Sequence, residues 1–128
     1  MIPLKVERLR YRWPNGSSAL ERCSFSIPSP GLWMLVGGNG SGKSTLLRLI
    51  SGLLTAESGQ ITSPLRSALV FQNPDHQLLL PSCGSELAFH LPEAVAPNSS
   101  MIDQALEQVG LAGMVDRPIH SLSGGQKQ

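Results

Sequence analysis

Charge is scarce in this sequence, and the two signs nearly balance. Asp, Glu, Lys and Arg make up 15% of the 128 residues, compared with about 25% in an average soluble domain. Ten basic residues oppose nine acidic ones, which gives a net charge of +1. A chain with so little net charge has no strong field to draw it to nucleic acid or to an anionic membrane surface. The low charge content instead favours a surface that partner proteins cover in part.

Cysteines and long apolar runs are also rare. The two cysteines, Cys23 and Cys83, are isolated, which argues against a zinc site and a disulfide framework and fits a reducing compartment. The longest continuous apolar run in the uncharged stretch 23–42 is Leu32–Val36, too short to span a bilayer. Residues 1–10 lack the apolar segment of a signal peptide. We therefore predict a soluble cytosolic protein with no segment inserted in the membrane.

The apolar pattern predicts an α/β fold of one domain at most. Alternation around Leu4–Arg10 and Ala19–Ile27, with a turn at 14–16, predicts short strands at the N-terminus. The run Leu32–Val36 is typical of a strand that is covered on both faces. A glycine-rich turn follows it, and a helix is predicted at Ser44–Ser51. The other predicted elements are a short strand at 59–62, a buried strand at 68–71, a short helix at 85–90, and a helix at 101–109 with Ser100 and Asp103 as its capping box.

The glycine-rich turn fits the pattern G-x-x-x-x-G-K-[ST] of a phosphate-binding loop. Its residues are Gly37, Gly38, Asn39, Gly40, Ser41, Gly42, Lys43, Ser44 and Thr45. Glycines let backbone N–H groups turn inward around phosphate oxygens, and the helix that follows adds the positive end of its dipole. Lys43 is expected to reach the β- and γ-phosphates and Ser44 to bind Mg²⁺. The sequence therefore predicts a nucleotide site.

A second motif narrows the class of nucleotide-binding protein. Leu122–Gln126 reads LSGGQ, and Gln72 follows the predicted strand at 68–71. The order of phosphate loop, glutamine, helical insert and LSGGQ resembles the nucleotide-binding domain of an ABC ATPase over essentially the whole chain. The resemblance implies a P-loop NTPase fold with an N-terminal antiparallel β portion, a P-loop core with parallel strands, and a helical insert. Residues 1–80 are expected to hold the first two parts with the glutamine loop, and residues 81–128 the insert that ends in the signature.

The resemblance also implies roles for individual residues with ATP and Mg²⁺ as ligands. Tyr11 is expected to stack on adenine, with Trp13 as its rival, because an aromatic face accepts a flat base. Gln72 is expected to contact Mg²⁺ or the attacking water, which makes it a catalytic candidate beside Lys43. The signature residues Ser123, Gly124 and Gly125 are expected to touch the γ-phosphate held by a second ABC ATPase subunit. The implied active form is thus a head-to-tail dimer, either of identical or of related subunits.

A narrower resemblance lies at 70–77, where VFQNPD-x-Q is similar to the glutamine loop of the energy-coupling factor and cobalt transporters. Pro81, Glu86, Ala88 and Phe89 continue it, whereas 82–84 and His90 depart from it. The resemblance implies an ATPase subunit of an importer for a metal ion or vitamin, bound to a transmembrane subunit at the cytoplasmic face of the cell membrane.

The family places its Walker B strand, catalytic glutamate, D-loop and switch histidine after the signature, and this sequence ends at Gln128. The 128-residue polypeptide, as an incomplete reading frame or one piece of a split gene, is therefore expected to bind ATP weakly and to hydrolyse it poorly or not at all. Two alternatives remain open from the sequence. One is a soluble ABC ATPase that works outside transport, and the other is a non-catalytic ATP-binding half-domain that pairs with an intact ATPase.

Overall fold

A computed structural model describes residues 3–91 and 93–128. The chain divides into two units, Met1–Leu69 and Val70–Gln128, and each has a hydrophobic core of its own. The first unit contains the strands β1 (Leu4–Arg12), β2 (Ser18–Ile27) and β3 (Ser58–Thr62) and the helix α1 (Lys43–Ile50). The second contains the helices α2 (Cys83–Phe89), α3 (Ser100–Gln108) and α4 (Gly124–Lys127) and two 3-10 turns, Pro74–His76 and Ile119–Ser121.

The first unit is built on an antiparallel sheet in the order β2-β1-β3. Val6 of the central strand stands opposite Phe25 of β2 and Ile61 of β3. Helix α1 contributes Leu46 and Leu49 to the same core, because residues three positions apart lie on one face of a helix. Burial of these side chains fixes the helix that follows the phosphate loop.

An irregularity in β1 explains why its buried residues are not spaced by two. Val6 and Leu9 are both almost fully buried although they are three positions apart. The pairing register with β2 shifts between them, and Arg8 has a positive φ of 48°. An extra residue in one strand turns the next side chain to the same face, as in a β-bulge. Gly59 of β3 fits against this point, where a Cβ would lie 2.4 Å from the carbonyl oxygen of Arg8.

The regular elements of the second unit are the helices α2, α3 and α4 and the two 3-10 turns. Its core contains Cys83, Ile102, Leu106, Val115 and Leu122. Among the helices of the described residues, none combines the length and the apolar content that crossing a membrane requires.

Two strands predicted from the sequence are wrong. Residues 32–36 and 68–71 form no strand, and every strand pair in the described part of the chain is antiparallel. Instead of being buried, Leu32 is 96% exposed and Val36 is 82% exposed. An apolar run becomes a strand only when a neighbouring strand pairs with it, and within residues 3–91 and 93–128 no strand pairs with 32–36.

The remaining predicted elements are confirmed with small shifts of their ends. The predicted capping box at Ser100 and Asp103 is wrong, because α3 begins at Ser100 and its N-cap is Ser99. The Ser99 hydroxyl makes no capping hydrogen bond; its Oγ is buried and has no partner within the described residues. The capping boxes lie elsewhere, at Ser82 with Ser85 and at Ser123 with Gln126.

Candidate nucleotide-binding site

The glycine-rich loop leads directly into helix α1 in the first unit. Gly42 is the N-cap residue with φ 97°, a left-handed conformation that favours glycine. A Cβ on Gly42 would lie 2.8 Å from the carbonyl oxygen of Ala19 in β2. The amide of Leu46 donates to the Gly42 carbonyl over 2.9 Å and so closes the first helical turn. The loop is therefore held at one end by the helix and rests against the sheet.

Lys43 folds back over the loop that precedes it. Its Nζ donates to the carbonyl oxygens of Gly37 over 2.6 Å and of Gly38 over 2.7 Å, and Ser41 Oγ lies 3.4 Å away. An ammonium group has three N–H donors and no acceptor. All three donors therefore point at the loop that precedes helix α1. The positive charge of Lys43 lies where the sequence predicts phosphate.

The residues of this loop fit a phosphate group and a magnesium ion. Cβ atoms built on Gly38 and Gly40 would meet nothing within 4 Å, so a ligand can approach the backbone there. Helix α1 has eight residues, and its first N–H groups point toward its N-terminal end. Ser44 is exposed in the first turn of that helix. A hydroxyl supplies one oxygen, and Mg²⁺ takes its other ligands from phosphate and water.

The two candidates for adenine stacking contact each other. Tyr11 at the end of β1 is partly buried against the core, and its ring meets that of Trp13 edge to face with centroids 5.2 Å apart. A T-shaped pair of this kind occupies one face of one ring and leaves the remaining faces outside the contact. Both residues therefore stay candidates for the stacking role.

The predicted glutamine loop lies in the second unit. Gln72 is exposed and precedes the 3-10 turn Pro74–His76. The side chain of Asn73 caps that turn by accepting a hydrogen bond from the amide of Asp75 over 3.0 Å. Asn73 and Pro74 thus give the backbone after Gln72 a defined short helical turn rather than an open loop.

The signature forms the start of helix α4 through a reciprocal pair of hydrogen bonds. Ser123 Oγ accepts from the amide of Gln126 over 3.2 Å, and Gln126 Oε1 accepts from the amide of Ser123 over 2.9 Å. This is a capping box, in which a serine and a glutamine three residues apart satisfy each other's backbone N–H groups. The S-x-x-Q spacing therefore explains locally why a serine and a glutamine flank the two glycines.

An ion pair joins the signature helix to the glutamine loop inside the second unit. Lys127 Nζ donates to Asp75 Oδ1 over 2.7 Å. Next to it, Gln128 Nε2 donates to the carbonyl oxygen of Phe71 over 3.2 Å. Two motifs that lie about fifty positions apart in the sequence are thus in direct contact on both sides of Gln72. The structure brings the predicted phosphate-loop residues together in one unit and Gln72 with the signature in the other.

A buried carboxylate fixes the chain that follows the glutamine loop. Glu86 Oε2 accepts from the amides of Leu79 and Leu80 over 3.0 and 2.7 Å, and Oε1 lies 3.1 Å from Nε2 of His90. Burial raises the pKa of Glu86, but the hydrogen bonds from Leu80, His90 and Leu79 outweigh it, and the net pKa is lowered. Burial also raises the pKa of the neighbouring Cys83 thiol, so this cysteine is not an activated nucleophile.

Sequence reasoning missed the structural roles of three residues in this arrangement. The capping role of Gln126 was visible in the S-x-x-Q spacing at 123–126. Lys127 gave no local signal, since its partner Asp75 lies 52 positions earlier. Glu86 belongs to the narrower resemblance, but its role as acceptor for the amides of Leu80 and Leu79, six and seven positions earlier, was not predicted.

Comparison with known proteins agrees with the motifs. The model of the ABC transporter family matches residues 20–128. The chain is 45% identical over 113 residues to ABC transporter I family member 10 of Arabidopsis thaliana, covering 85% of this chain and 42% of that protein. It is 36% identical over 143 residues to the energy-coupling factor transporter ATP-binding protein EcfA1 of Lacticaseibacillus paracasei, covering 98% of this chain and 51% of that one. The chain thus spans about half the length of the curated relatives it matches.

Solved structures show the same fold. The structure of cbiO1 from Clostridium perfringens, part of the ABC transporter complex cbiONQ, matches with a TM-score of 0.75 and 32% identity, over 98% of this chain and 57% of that one. A nucleotide-free ATP-binding cassette from an ABC transporter matches with a TM-score of 0.73 and 24% identity, over 99% of this chain and 61% of that one. At this low identity the match supports the fold alone. The predicted P-loop NTPase fold and the predicted family are thereby confirmed. The chain belongs to the ABC transporter family.

Proposed function

We propose that this chain is the nucleotide-binding part of the ATPase subunit of an importer of the energy-coupling factor or cobalt type, and that ATP binding and hydrolysis drive uptake of a metal ion or vitamin. The observation that carries the proposal is the position of Lys43, whose ammonium group is held by the carbonyls of Gly37 and Gly38 at the start of helix α1. A cation fixed beside a glycine-rich backbone at a helix N-terminus is suited to a polyphosphate.

The triphosphate of ATP binds along the loop 37–45 in this proposal. Phosphate oxygens compete with the two carbonyl oxygens for the donors of Lys43, and a doubly charged phosphate is the stronger acceptor. Ser44 would hold Mg²⁺ through its hydroxyl oxygen, and the ion would supply positive charge beside the phosphates. Gln72 keeps the role that the resemblance implies for it, contact with Mg²⁺ or with the attacking water. The adenine stacks on Tyr11, with Trp13 as the alternative, since each ring offers a π-face.

The signature acts on a nucleotide held by a second ABC ATPase subunit. Ser123 Oγ already accepts a hydrogen bond from Gln126, and a hydroxyl that accepts one bond still has its own O–H to donate. That O–H, with the N–H groups of Gly124 and Gly125 in the first turn of α4, forms a set of donors suited to a γ-phosphate. The proposed active form is therefore a head-to-tail dimer of two such subunits.

The membrane partner is a transmembrane subunit at the cytoplasmic face. Support comes from the VFQNPD-x-Q segment and from cbiO1, which is similar to this chain and is part of a transporter complex.

Nucleotide affinity tests the proposal most directly. We expect the 128-residue polypeptide to bind a fluorescent ATP analogue in the presence of Mg²⁺, and Lys43→Ala to weaken binding about tenfold or more, the loss expected for one charge-assisted hydrogen bond to phosphate. Lys5→Ala is the matched control, because Lys5 is also a partly exposed lysine but pairs with Glu7 on the sheet. Equal affinity of the Lys43→Ala variant and the unchanged chain would contradict a phosphate site at this loop.

The transport role needs a separate test. We expect the whole protein to sediment with membranes from its source and to be released with a transmembrane subunit when detergent is added. A protein that hydrolyses ATP but stays in the soluble fraction would support the non-transport alternative. Binding without hydrolysis, with turnover restored by an intact ATPase, would support the half-domain alternative.

A further inference from the structure

The contact between the glutamine loop and the signature helix is the feature of the second unit with the clearest consequence beyond nucleotide binding. Lys127 is the residue after the signature LSGGQ, and Asp75 is the third residue after Gln72. Their side chains meet at 2.7 Å. The Lys127 side chain is only 17% exposed, and that of Asp75 is 60% exposed. A pair with one partner largely shielded from water is stronger than one between two fully solvated side chains.

Each partner is rigidly connected to a residue of its motif. The amide of Lys127 donates to the carbonyl oxygen of Ser123 over 3.0 Å, so Lys127 closes the helical turn that begins at the signature serine. Asp75 lies in the 3-10 turn that Asn73 caps, directly after Gln72. The ion pair therefore links the turn after Gln72 to the helical turn at Ser123.

We propose that Asp75 and Lys127 are positioning residues that make the placement of the signature depend on the placement of the glutamine loop. The inference rests on the proposed function, because it concerns the two motifs that ATP hydrolysis in a dimer uses. The hydrogen bond from Gln128 Nε2 to the carbonyl oxygen of Phe71 supports it, since it holds the backbone just before Gln72 to the same helix. Neither Asp75 nor Lys127 touches the nucleotide in this proposal.

The test uses the whole protein in its assembled form and compares four variants. Asp75→Asn and Lys127→Met remove the ion pair, Lys127→Arg keeps its charge, and the double variant Asp75→Lys with Lys127→Asp reverses it. We expect each of the first two to lower kcat for ATP hydrolysis about fivefold, the factor that corresponds to the upper range for a partly exposed ion pair. Their affinity for ATP should stay unchanged, because the phosphate loop is intact. Lys127→Arg and the reversed pair should recover most of kcat.

Comparing the change in kcat with the change in ATP affinity distinguishes a positioning role from a purely structural one. A pair that only stabilised the fold would lower the melting temperature and leave kcat per folded molecule unchanged, and this result would overturn the inference. The Lys5→Gln variant removes the exposed pair with Glu7 and serves as the control for loss of a surface ion pair. If the unaltered protein hydrolyses ATP and all four variants match it, the inference fails and the proposed function stands. If the unaltered protein neither binds nor hydrolyses ATP, both are overturned.

Discussion

The imidazole of His90 lies 3.1 Å from the carboxylate of Glu86, one helical turn earlier in the chain. The same carboxylate accepts two backbone amides from Leu79 and Leu80. Glu86 is thus the acceptor that connects helix α2 to the segment after the glutamine loop. The narrower resemblance implies glycine at the position of His90, so the contact between His90 and Glu86 departs from that implied pattern.

Removal of the Glu86 carboxylate should destabilise the protein. Glu86→Ala leaves the amides of Leu79 and Leu80 without their acceptor, and we expect a loss of about 2 kcal/mol in the free energy of unfolding. Glu107→Ala is the control, because Glu107 is exposed on α3, and its loss should be within about 0.5 kcal/mol. Urea unfolding followed by far-UV circular dichroism measures both values. Equal midpoints for the two variants would contradict the role assigned to Glu86.

Stability should also depend on pH through Glu86. Its pKa is lowered in the folded protein, so the folded state binds the proton less readily than the unfolded state does. Its contribution is therefore fully present above the ordinary pKa of a glutamate, about 4.3, and is lost as the pH falls through the lower folded value. We expect the difference in urea midpoint between the unchanged chain and Glu86→Gln to shrink steadily below about pH 4.3. A difference that grows on acidification would contradict the direction of the shift.

Two glycines of the phosphate loop should respond differently to alanine. Gly42 has φ 97° and would place a Cβ against the backbone of β2, so Gly42→Ala should destabilise the chain by about 2 kcal/mol or more. A Cβ on Gly38 would meet nothing within 4 Å, so Gly38→Ala should leave the melting temperature nearly unchanged but weaken ATP binding. Thermal unfolding and ATP titration of both variants distinguish the two effects. A large fall in melting temperature for Gly38→Ala would show that this glycine serves the fold instead.

The signature capping box predicts a specific effect on dimer formation. Gln126→Ala removes the acceptor of the Ser123 amide, and loss of such a cap costs about 1 kcal/mol. We expect ATP-dependent dimerisation of the whole protein to weaken about fivefold, because the donors at the start of α4 are no longer held in place. Gln104→Ala on the exposed side of α3 is the matched control. Sedimentation at several protein concentrations with Mg²⁺-ATP gives the dissociation constants of the dimers. An unchanged dissociation constant for Gln126→Ala would show that the capping box does not contribute to dimer formation.

Features set by neighbouring residues were predictable from the sequence. The phosphate loop, helix α1 and the antiparallel strands of the first unit follow from glycine spacing and apolar periodicity, and the structure has them within a few residues of the predicted ends. The signature cap belongs to the same class, because Ser123 and Gln126 are three positions apart.

Features set by distant residues were not predictable in this way. The apolar run 32–36 predicts a buried strand, but its residues are exposed, because whether such a run forms a strand depends on a neighbour that its own sequence does not specify. The bulge at Arg8 was not predictable from the alternation of apolar and polar residues along the strand, because a bulge interrupts that alternation. The partners Asp75 and Lys127 are 52 positions apart, and no local pattern connects two charges at that distance.

Each of the two cores draws on one continuous stretch of chain, and this bears on the order in which the protein assembles. The residues around Val6 and Leu46 lie within 4–61, whereas those around Cys83 and Leu122 lie within 83–122. Segments of a growing polypeptide fold as units, the N-terminal one first. The sheet and the loop it supports can therefore form on the ribosome before the signature has been synthesised. A nucleotide present in the cell could then bind the nascent chain and favour its folded form by mass action.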